Sequence, residues 1–286
     1  MNVVIRLVAH VNGDDDIIEA WCKYYLDLGI ASIHVIAHGR ELCNQRLYAL
    51  RGSLPIHIED EYDGEYGIEE KCARMNTLLA RFKGAWLVLA DSDEFVEFPL
   101  RRPASTIRWL EWRGATALAA PMVQRLREDG TLPAEPTTGD PFSAFPLCMT
   151  DLYERMGVPA ASIRKYPLVF VDAKTRLTDG GNHNPPNAGG RVLEGTRGVT
   201  HHFKWRSHVL ERLRSRASSQ HTWRHESVAY LDYLQRHQWR LPTDGAFSGS
   251  RRELIRRGLI ATPTSARFWL RGVPSRMAEQ IRPTAR

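Results

Sequence analysis

The residues best suited to chemistry follow a short apolar segment about a third of the way along the chain. In WLVLADSDEF, residues 86–95, five apolar residues lead directly into Asp91, Asp93 and Glu94. Three carboxylates within four residues repel one another unless a cation or solvent compensates their charge, or unless the charge is used in catalysis. Carboxylate oxygens suit Mg²⁺ and Mn²⁺, which in turn neutralise a diphosphate. The segment therefore predicts a divalent-cation site at Asp91 and Asp93, with a solvated strand end as the alternative.

A further protein ligand has to come from elsewhere in the chain, and histidine suits Mn²⁺. His183 lies in a segment rich in Gly, Asn and Pro, whereas His201 and His202 end a strand-like run. Adjacent residues of a strand point to opposite faces, so at most one of His201 and His202 reaches a given site. A packed or surface role is the alternative for each of the three histidines.

The elements around this segment alternate regularly over the first hundred residues. Strand-like runs are NVVIRLVAHV, IASIHVIA, LPIHIE and AWLVLA, and helix-like segments lie between them. This alternation predicts an α/β fold with a Rossmann-like, mainly parallel sheet and helices on both faces. In such sheets ligands bind beyond the carboxyl ends of the strands, which is where Asp91 and Asp93 lie.

Beyond residue 100 the alternation is looser. A helix is predicted for ASTIRWLEWRG, strands for ATALAAPMV, KYPLVFVDA and RGVTHHFKW, and a long loop for residues 128–147. An Arg-rich helical stretch is predicted from Ser207 to His237. We therefore expect a first domain over residues 1–204 and a basic, mainly helical extension packed on it over residues 205–286.

The composition is that of a soluble globular protein. Of the 286 residues, 43% are hydrophobic and 25% are charged, an ordinary balance for this class. No apolar run approaches the roughly 18 residues of a membrane-spanning helix, and the first ten residues lack the features of a secretory signal. The cysteines show no zinc-binding spacing; they are Cys22, Cys43, Cys72 and Cys148. These features predict a cytoplasmic protein.

The charge is unevenly distributed. From Arg197 onward there are 18 Lys and Arg residues against 6 Asp and Glu residues, a net +12, whereas the first 196 residues carry a net −6. Such asymmetry is typical of a contact with nucleic acid, an anionic membrane or a phosphorylated ligand, and also of a solvated helical surface. No nucleic-acid motif accompanies it. We expect no nucleic-acid partner and a peripheral contact with the inner face of the membrane.

Several segments resemble a known enzyme family. The segment HVNGDDDIIEAWCKYYLDLG carries Asn12, Trp21, Tyr24 and Gly29 at the family's spacing. WLVLADSDEFVEFP matches closely, and DGGNHN and VTHHFKWRS correspond to later elements. The chain thereby resembles the GT-A glycosyltransferases related to families 2 and 92, most closely over residues 1–100, with DSDEF the strongest motif.

The chain also departs from this family at several positions. Gly13 and Ala20 stand where the family commonly has Glu, and Tyr25 stands where it has His. Ala37-His38-Gly39 replaces an Asp-Asn-Gly-like turn in which an Asp often helps to hold the nucleotide.

The resemblance implies the activity of a GT-A enzyme. It implies a nucleoside-diphosphate sugar as donor, Mn²⁺ or Mg²⁺ bound through Asp91 and Asp93, and inverting transfer to a hydroxyl of a carbohydrate or lipid-linked acceptor. It makes His202, or alternatively His183, the late metal or phosphate contact. The donor contacts that it implies are Asn12, His38, Lys71, Asn76 and Asp91.

Chemical requirements add further candidates. Lys204 and Arg206 follow His202 closely and are candidate diphosphate contacts, because Arg pairs bidentately with phosphate; solubility is the alternative. A carboxylate has to accept the acceptor proton. Glu128 and Asp129 in the long loop are the candidates, and the acids that remain open are Asp151, Asp172 and Asp179.

Two other function classes remain open. A phosphatase of the haloacid-dehalogenase type also places Asp-x-Asp at a strand end, but it needs Thr or Val where this chain has Phe95. Such a phosphatase also carries the Asp-x-Asp motif after the first strand of its domain, whereas in this chain three strand–helix units precede the motif. The second alternative is a non-catalytic protein that binds a nucleotide, a membrane or nucleic acid, with purely structural acids.

Overall fold

The computed structural model describes residues 4–137, 139–158, 164–186, 190–219 and 223–261, with the backbone alone described at residues 193–196. The strands in these ranges are β1 (Arg6–Val11), β2 (Ser32–His38), β3 (Ile56–Tyr62), β4 (Trp86–Leu89), β5 (Glu94–Glu97), β6 (Ala117–Leu126), β7 (Leu147–Met149), β8 (Arg164–Phe170), β9 (Val192–Arg197), β10 (Val199–His202) and β11 (Phe247–Ser248). The α-helices are α1 (Ile18–Asp27), α2 (Gln45–Leu50), α3 (Ile68–Ala80), α4 (Pro103–Trp112), α5 (Pro141–Ala144), α6 (Leu152–Arg155), α7 (Val209–Ser218), α8 (Arg224–Arg236) and α9 (Arg251–Arg256), and a 3₁₀ helix covers Glu41–Cys43.

One large sheet runs through the molecule in the order β11-β7-β6-β8-β4-β1-β2-β3. Strands β4, β1, β2 and β3 pair in parallel, whereas β8 is antiparallel to both β4 and β6. Strand β10 pairs antiparallel with β5 and parallel with β6. The predicted α/β fold is confirmed, with its parallel part in the first hundred residues and mixed pairing beyond.

Helices cover both faces of the parallel strands. Leu7 of β1 belongs to a buried cluster that includes Trp21 of α1, whereas its neighbour Val8 belongs to a cluster that includes Leu78 of α3. Successive residues of a strand face opposite sides, so both sides of β1 are buried. This burial explains why the parallel strands read as continuous apolar runs rather than as alternating ones.

The region after β10 packs against the mixed half of the sheet. Leu213 of α7 and Tyr230 of α8 share a buried cluster with Met122 of β6 and Met149 of β7. The helical stretch predicted from Ser207 to His237 forms the two helices α7 and α8, and the predicted loop 128–147 includes the short helix α5. The boundary at residue 204 stays a prediction, and residues 262–286 of the expected extension lie outside the described ranges.

Within the described residues, no helix is both long enough and apolar enough to cross a membrane.

Candidate active site

Aromatic side chains of α1 hold the turn that follows β4. The Trp21 indole Nε1 donates to the backbone carbonyls of Asp91 and Glu94, at 3.0 Å each. The Tyr25 hydroxyl donates to the Glu94 carbonyl at 2.9 Å. Both aromatic side chains are fully buried, so the hydrophobic core itself sets the position of the acidic turn.

Pairing between β5 and β10 brings a histidine to this turn. His202 lies opposite Glu94 in the strand register, and its Nε2 is 3.3 Å from Oδ2 of Asp93. The neighbouring His201 contacts Glu97 instead, with its Nε2 3.3 Å from Oε2. This arrangement agrees with the expectation that at most one of the two adjacent histidines reaches a given site; the role of His202 stays a prediction.

The contacts of His202 leave its Nε2 suited to a cation. Its Nδ1 lies 3.0 Å from Oε1 of Gln124 and 3.1 Å from the Tyr153 hydroxyl. A carbonyl oxygen can only accept, so Gln124 selects the tautomer with the proton on Nδ1. With a second proton on Nε2 the ring pairs directly with the Asp93 carboxylate. Without that proton, the Nε2 lone pair and the carboxylate together can hold a cation.

A set of three side chains fits a divalent cation. Asp93, Glu94 and His202 each offer a ligand atom, and these atoms lie within 4.8 Å of one another. Burial raises the pKa of Asp93, but the protonated form of His202, together with Arg206 and Arg212, brings that pKa well below its usual range. Asp93 is therefore ionised, and Gln124 supplies the outer partner that a metal-binding histidine needs.

Asp91 has different partners, although it lies two residues away. Its Oδ1 is 2.7 Å from Nζ of Lys71 and its Oδ2 is 3.4 Å from Nζ of Lys165. The Lys165 Nζ also lies 2.5 Å from Oε1 of Glu94. Burial raises the pKa of Asp91, but Lys71 and Lys165 outweigh it and keep that pKa well below its usual range. In this arrangement both oxygens of Asp91 face lysines, and Glu94 shares Lys165 with it. Asp93 and His202 are therefore the better-placed ligands of the set, with Glu94 beside them.

A second ion-pair network lies behind the acidic turn. Arg206 contacts Asp14, with Nη2 2.6 Å from Oδ1, and also Asp16. Arg212 of α7 approaches the same Asp14 oxygen at 2.8 Å, and Ser92 donates to the other. Burial raises the pKa of Asp14, whereas Arg212 and Arg206 lower it below its usual value. The network ties the region after β10 to the loop after β1.

Replacing Arg206 with methionine is expected to lower the free energy of unfolding by about 3–5 kcal/mol, because it leaves the buried Asp16 carboxylate without its cation and Asp14 with Arg212 alone. Urea denaturation followed by circular dichroism measures this loss. Arg46→Met is the matched control, since Arg46 pairs with Glu19 on the surface and an exposed pair contributes about 0–1 kcal/mol. Equal losses in both variants would contradict a structural role for Arg206.

Two cations of the cleft have no carboxylate partner. Nζ of Lys204 lies 4.1 Å from the centre of the Tyr230 ring and 5.1 Å from that of Tyr153. The guanidinium carbon of Arg216 lies 5.5 Å from the centre of the Trp223 ring. Among the described residues, no carboxylate lies within ion-pair distance of either cation.

Burial weakens the charged form of both cations. It lowers the pKa of Lys204 to about 8, with Glu226 opposing and Arg216 reinforcing the shift. It also lowers the pKa of Arg216, and the nearby Arg212 adds to this effect. Both side chains are half-buried, and a positive charge partly removed from solvent without a counter-ion is a favourable site for an anionic ligand.

A group of rings lies at the carboxyl ends of β1, β2 and β3. The rings of His38 and Tyr62 stack with centres 4.5 Å apart and planes 1° apart. Nδ2 of Asn12 donates to Nδ1 of His38 at 3.0 Å, and Nε2 of His38 donates to the Gly64 carbonyl at 2.8 Å. Burial, followed by the charge of Lys71, lowers the pKa of His10 to about 3, so that its ring is neutral beside Tyr62.

These groups surround one cleft of about 1150 Å³. The cleft brings together eight of the residues expected from the sequence: Asn12, His38, Lys71, Asp91, Asp93, His183, His202 and Lys204. Their individual roles stay predictions. His183 lies apart from the three side chains that fit a cation, and its Nδ1 contacts the Arg164 carbonyl at 3.0 Å.

Four expected residues do not line the cleft. Arg206 is buried in the network with Asp14. Asn76 exchanges two hydrogen bonds with the backbone of Leu177 and so fixes α3 to the segment after β8. Glu128 and Asp129 lie in an exposed turn after β6.

The cleft also contains charged residues that no sequence pattern indicated: Lys165, Arg212, Arg216 and Glu226. Lys165 starts an antiparallel strand, so that it lies beside the carboxyl end of β4. A lone lysine at the head of the apolar run KYPLVF was the available signal. The other three lie on helices whose polar faces have no distinguishing pattern.

No protein-family model matches the chain, and no curated protein matches it. Among solved structures, that of S. aureus TarS 1-349 aligns with a TM-score of 0.35 and 10% identity over 82% of this chain and 72% of that one. The complex of TarS 1-349 with UDP-GlcNAc aligns over the same shares with a TM-score of 0.34 and 8% identity. The structure of 4-diphosphocytidyl-2C-methyl-D-erythritol synthase aligns with a TM-score of 0.27 and 11% identity over 44% of this chain and 63% of that one. Functional inference therefore rests on the geometry of the cleft.

Proposed function

We propose that the chain is a metal-dependent glycosyltransferase that moves a sugar from a nucleoside-diphosphate sugar to an acceptor hydroxyl with inversion. The proposal is carried by the pairing of Asp93 with Nε2 of His202 at the carboxyl end of β4. An ionised carboxylate and a histidine lone pair, with Glu94 beside them, form a donor set that suits Mn²⁺ or Mg²⁺. When bound, such a cation stabilises the charge on a departing diphosphate.

The protein's own cations complement this site. Lys204 and Arg216 lack a carboxylate partner within the described residues, and both line the cleft that contains Asp93. They are the proposed partners of the diphosphate oxygens, because a phosphate replaces the missing counter-ion of a buried cation. Of the two diphosphate contacts expected from the sequence, Lys204 is retained here, whereas the guanidinium of Arg206 is occupied by Asp14 and Asp16.

The other end of the cleft suits the nucleoside. The His38 ring, held from behind by its stack on Tyr62, lines this end of the cleft next to Asn12, and stacking on a base needs no particular hydrogen-bond pattern. The cleft volume of about 1150 Å³ exceeds the roughly 300–1000 Å³ of common ligand pockets. The cleft is therefore large enough to hold a donor and part of an acceptor at the same time.

Inverting transfer also needs a carboxylate that takes the acceptor proton. Most acids of the cleft already have partners: Asp14, Asp91, Asp93 and Glu94 face cations, and Asp179 accepts from the backbone N–H groups of three residues. The lining acids without an ion pair or hydrogen bond, among the described residues, are Glu65, Glu211 and Glu226. Only Glu226 of these three is partly buried.

We assign the base role to Glu226 for this reason. Its charge acts on Lys204 and Tyr153, and the Tyr153 hydroxyl contacts His202. In the proposed reaction the acceptor hydroxyl loses its proton to the Glu226 carboxylate while its oxygen bonds to the anomeric carbon. The bond from that carbon to the diphosphate oxygen breaks, and its electron pair leaves with the nucleoside diphosphate.

Titration calorimetry with UDP and GDP, with and without Mn²⁺, tests donor binding. We expect Mn²⁺ to strengthen binding of at least one nucleotide, and Lys204→Gln to weaken it by roughly tenfold, the effect of a charge-assisted hydrogen bond. Lys83→Gln is the matched control, since Lys83 is exposed and outside the cleft.

Two results would contradict the proposal. One is the absence of any nucleotide binding with Mn²⁺ present; the other is hydrolysis of a simple phosphate monoester that depends on Asp91, as a haloacid-dehalogenase-type phosphatase requires. A screen for nucleotide-sugar hydrolysis then identifies the donor.

A further inference from the structure

Helix α4 presents a basic and aromatic stripe to solvent. Its inward positions, including Ile107 and Leu110, are fully buried. The residues of this stretch with basic or aromatic side chains are Arg101 and Arg102, which precede the helix with non-helical backbone, and Arg108, Trp109 and Trp112 of the helix, of which Trp109 packs partly against the core. Arg101, Arg102 and Arg108 are exposed and Trp109 is partly buried. We call these five residues, with Arg113, the α4 surface.

Trp112 is the most unusual member of the α4 surface. Its side chain is 76% exposed, although a tryptophan normally buries most of its large apolar area. The guanidinium carbon of Arg113 lies 5.6 Å from the centre of its ring. An indole at the edge of a cationic surface is typical of residues that sit at the interface between a membrane and water.

The arginines of the α4 surface are not neutralised by the protein. Within the described ranges, none of Arg101, Arg102, Arg108 and Arg113 has an ion-pair partner, and the carboxylate of Glu111 accepts a hydrogen bond from Trp86 at 3.0 Å. Other exposed arginines do have acidic partners, for example Arg46 with Glu19 and Arg256 with Glu253. The α4 surface therefore attracts an anionic partner.

The C-terminal region carries most of the excess positive charge in the sequence, and several of its arginines do have ion-pair partners. Arg206 and Arg212 pair with Asp14, Arg251 pairs with Glu97, and Arg257 pairs with Glu253. Part of the positive charge of the described C-terminal residues is thus compensated locally, although Lys204, Arg216 and several exposed arginines there have no ion pair. On the α4 surface none of the arginines has one.

We propose that the α4 surface docks on an anionic lipid bilayer, with Trp112 entering the interface and the arginines pairing with lipid phosphates. A bilayer satisfies both features of the surface, because it offers negative headgroups above an apolar layer. Single-stranded nucleic acid binds in a groove with several stacking rings, whereas this surface offers one largely exposed indole, that of Trp112. This inference does not depend on the activity proposed above.

The docking surface lies away from the cleft. Glu111, next to Trp112, contacts Trp86 at the start of β4, whereas Asp93 follows the end of that strand. A docked protein therefore keeps its cleft away from the point of contact, and changes in the α4 surface should leave the cleft intact.

Co-sedimentation with vesicles tests the proposal, with phosphatidylcholine vesicles that contain phosphatidylglycerol compared with phosphatidylcholine alone. We expect retention on the anionic vesicles only, and weaker retention at high salt. Changing Arg101, Arg102 and Arg108 together to Gln should weaken binding by roughly 100-fold, at about fivefold for each arginine. Trp112→Ala should weaken it by roughly tenfold through lost apolar contact.

The chain offers a matched control in Arg214 and Trp239. The Arg214 guanidinium lies 5.6 Å from the centre of the partly exposed Trp239 ring, which repeats the chemistry of the α4 surface elsewhere. Arg214→Gln with Trp239→Ala should leave vesicle binding unchanged, and all variants should keep the wild-type unfolding midpoint.

Several outcomes would overturn the proposal. They are no retention of the wild-type protein, equal retention on phosphatidylcholine alone, or an equal loss in the Arg214 and Trp239 control. Binding of a single-stranded polynucleotide, but not of vesicles, through the same arginines would show that the surface serves nucleic acid instead.

Discussion

Asp93→Asn should reduce glycosyl transfer by roughly 10²–10⁴-fold, because it removes the carboxylate that faces Nε2 of His202. The loss corresponds to the several kcal/mol that a bound cation contributes to a transition state. Asparagine preserves the shape of the side chain but not its charge, so the change acts on cation binding rather than on packing. Initial rates with saturating donor, measured over a series of Mn²⁺ concentrations, provide the test.

The variant Asp91→Asn distinguishes the role of Asp91 from that of Asp93, two residues for which the sequence predicts the same metal-binding role. It leaves Lys71 and Lys165 buried with only Glu94 as a negative partner, which predicts a loss of stability of up to about 3–5 kcal/mol. Affinity for Mn²⁺ should change less than in Asp93→Asn, because both oxygens of Asp91 face lysines. Calorimetric titration of Mn²⁺ into each variant, at a temperature where both are folded, compares the two sites.

The reverse result would contradict this assignment. If Asp91→Asn abolished Mn²⁺ binding and Asp93→Asn did not, the lysines would have to move away when the cation binds, and the pairing of Asp93 with His202 would be incidental. Equal effects of both variants would favour the ligand pair expected from the sequence.

The acidic turn was predictable because one local pattern contains all the necessary information. An apolar run of four to six residues followed by acids is a strand end, and helices between such runs imply parallel strands. The carboxyl end of β4 therefore had to contain Asp91 and Asp93. Side chains alternate along β10, so His201 and His202 face opposite sides. At most one of these two histidines could therefore lie next to the acidic turn.

The partners from the second half of the chain were not predictable in the same way. Lys165 reaches Asp91 because β8 runs antiparallel to β4, and nothing in KYPLVF fixes its direction or its neighbour. The position of Glu226 in the cleft depends on the packing of α8 against β6, two elements that lie far apart in the sequence. Arg206 looked like a phosphate contact next to His202, and only the fold reveals that Asp14 and Asp16 surround it.

Glu226→Gln is expected to lower the rate of transfer by roughly 10²–10⁴-fold, the contribution of a positioned general base. Glutamine keeps the length of the side chain but cannot take the acceptor proton. Donor affinity should remain close to that of the wild-type protein, because Glu226 takes no part in the proposed diphosphate contacts.

Glu211→Gln is the matched control for this prediction. Glu211 also lines the cleft and has no ion pair among the described residues, but it is exposed to solvent on α7. Its loss should leave the rate within a factor of a few. Glu128→Gln and Asp129→Asn test the alternative that the sequence favoured, in the exposed turn after β6. A large loss of rate in either, with Glu226→Gln active, would place the acceptor beside that turn and remove Glu226 from the reaction.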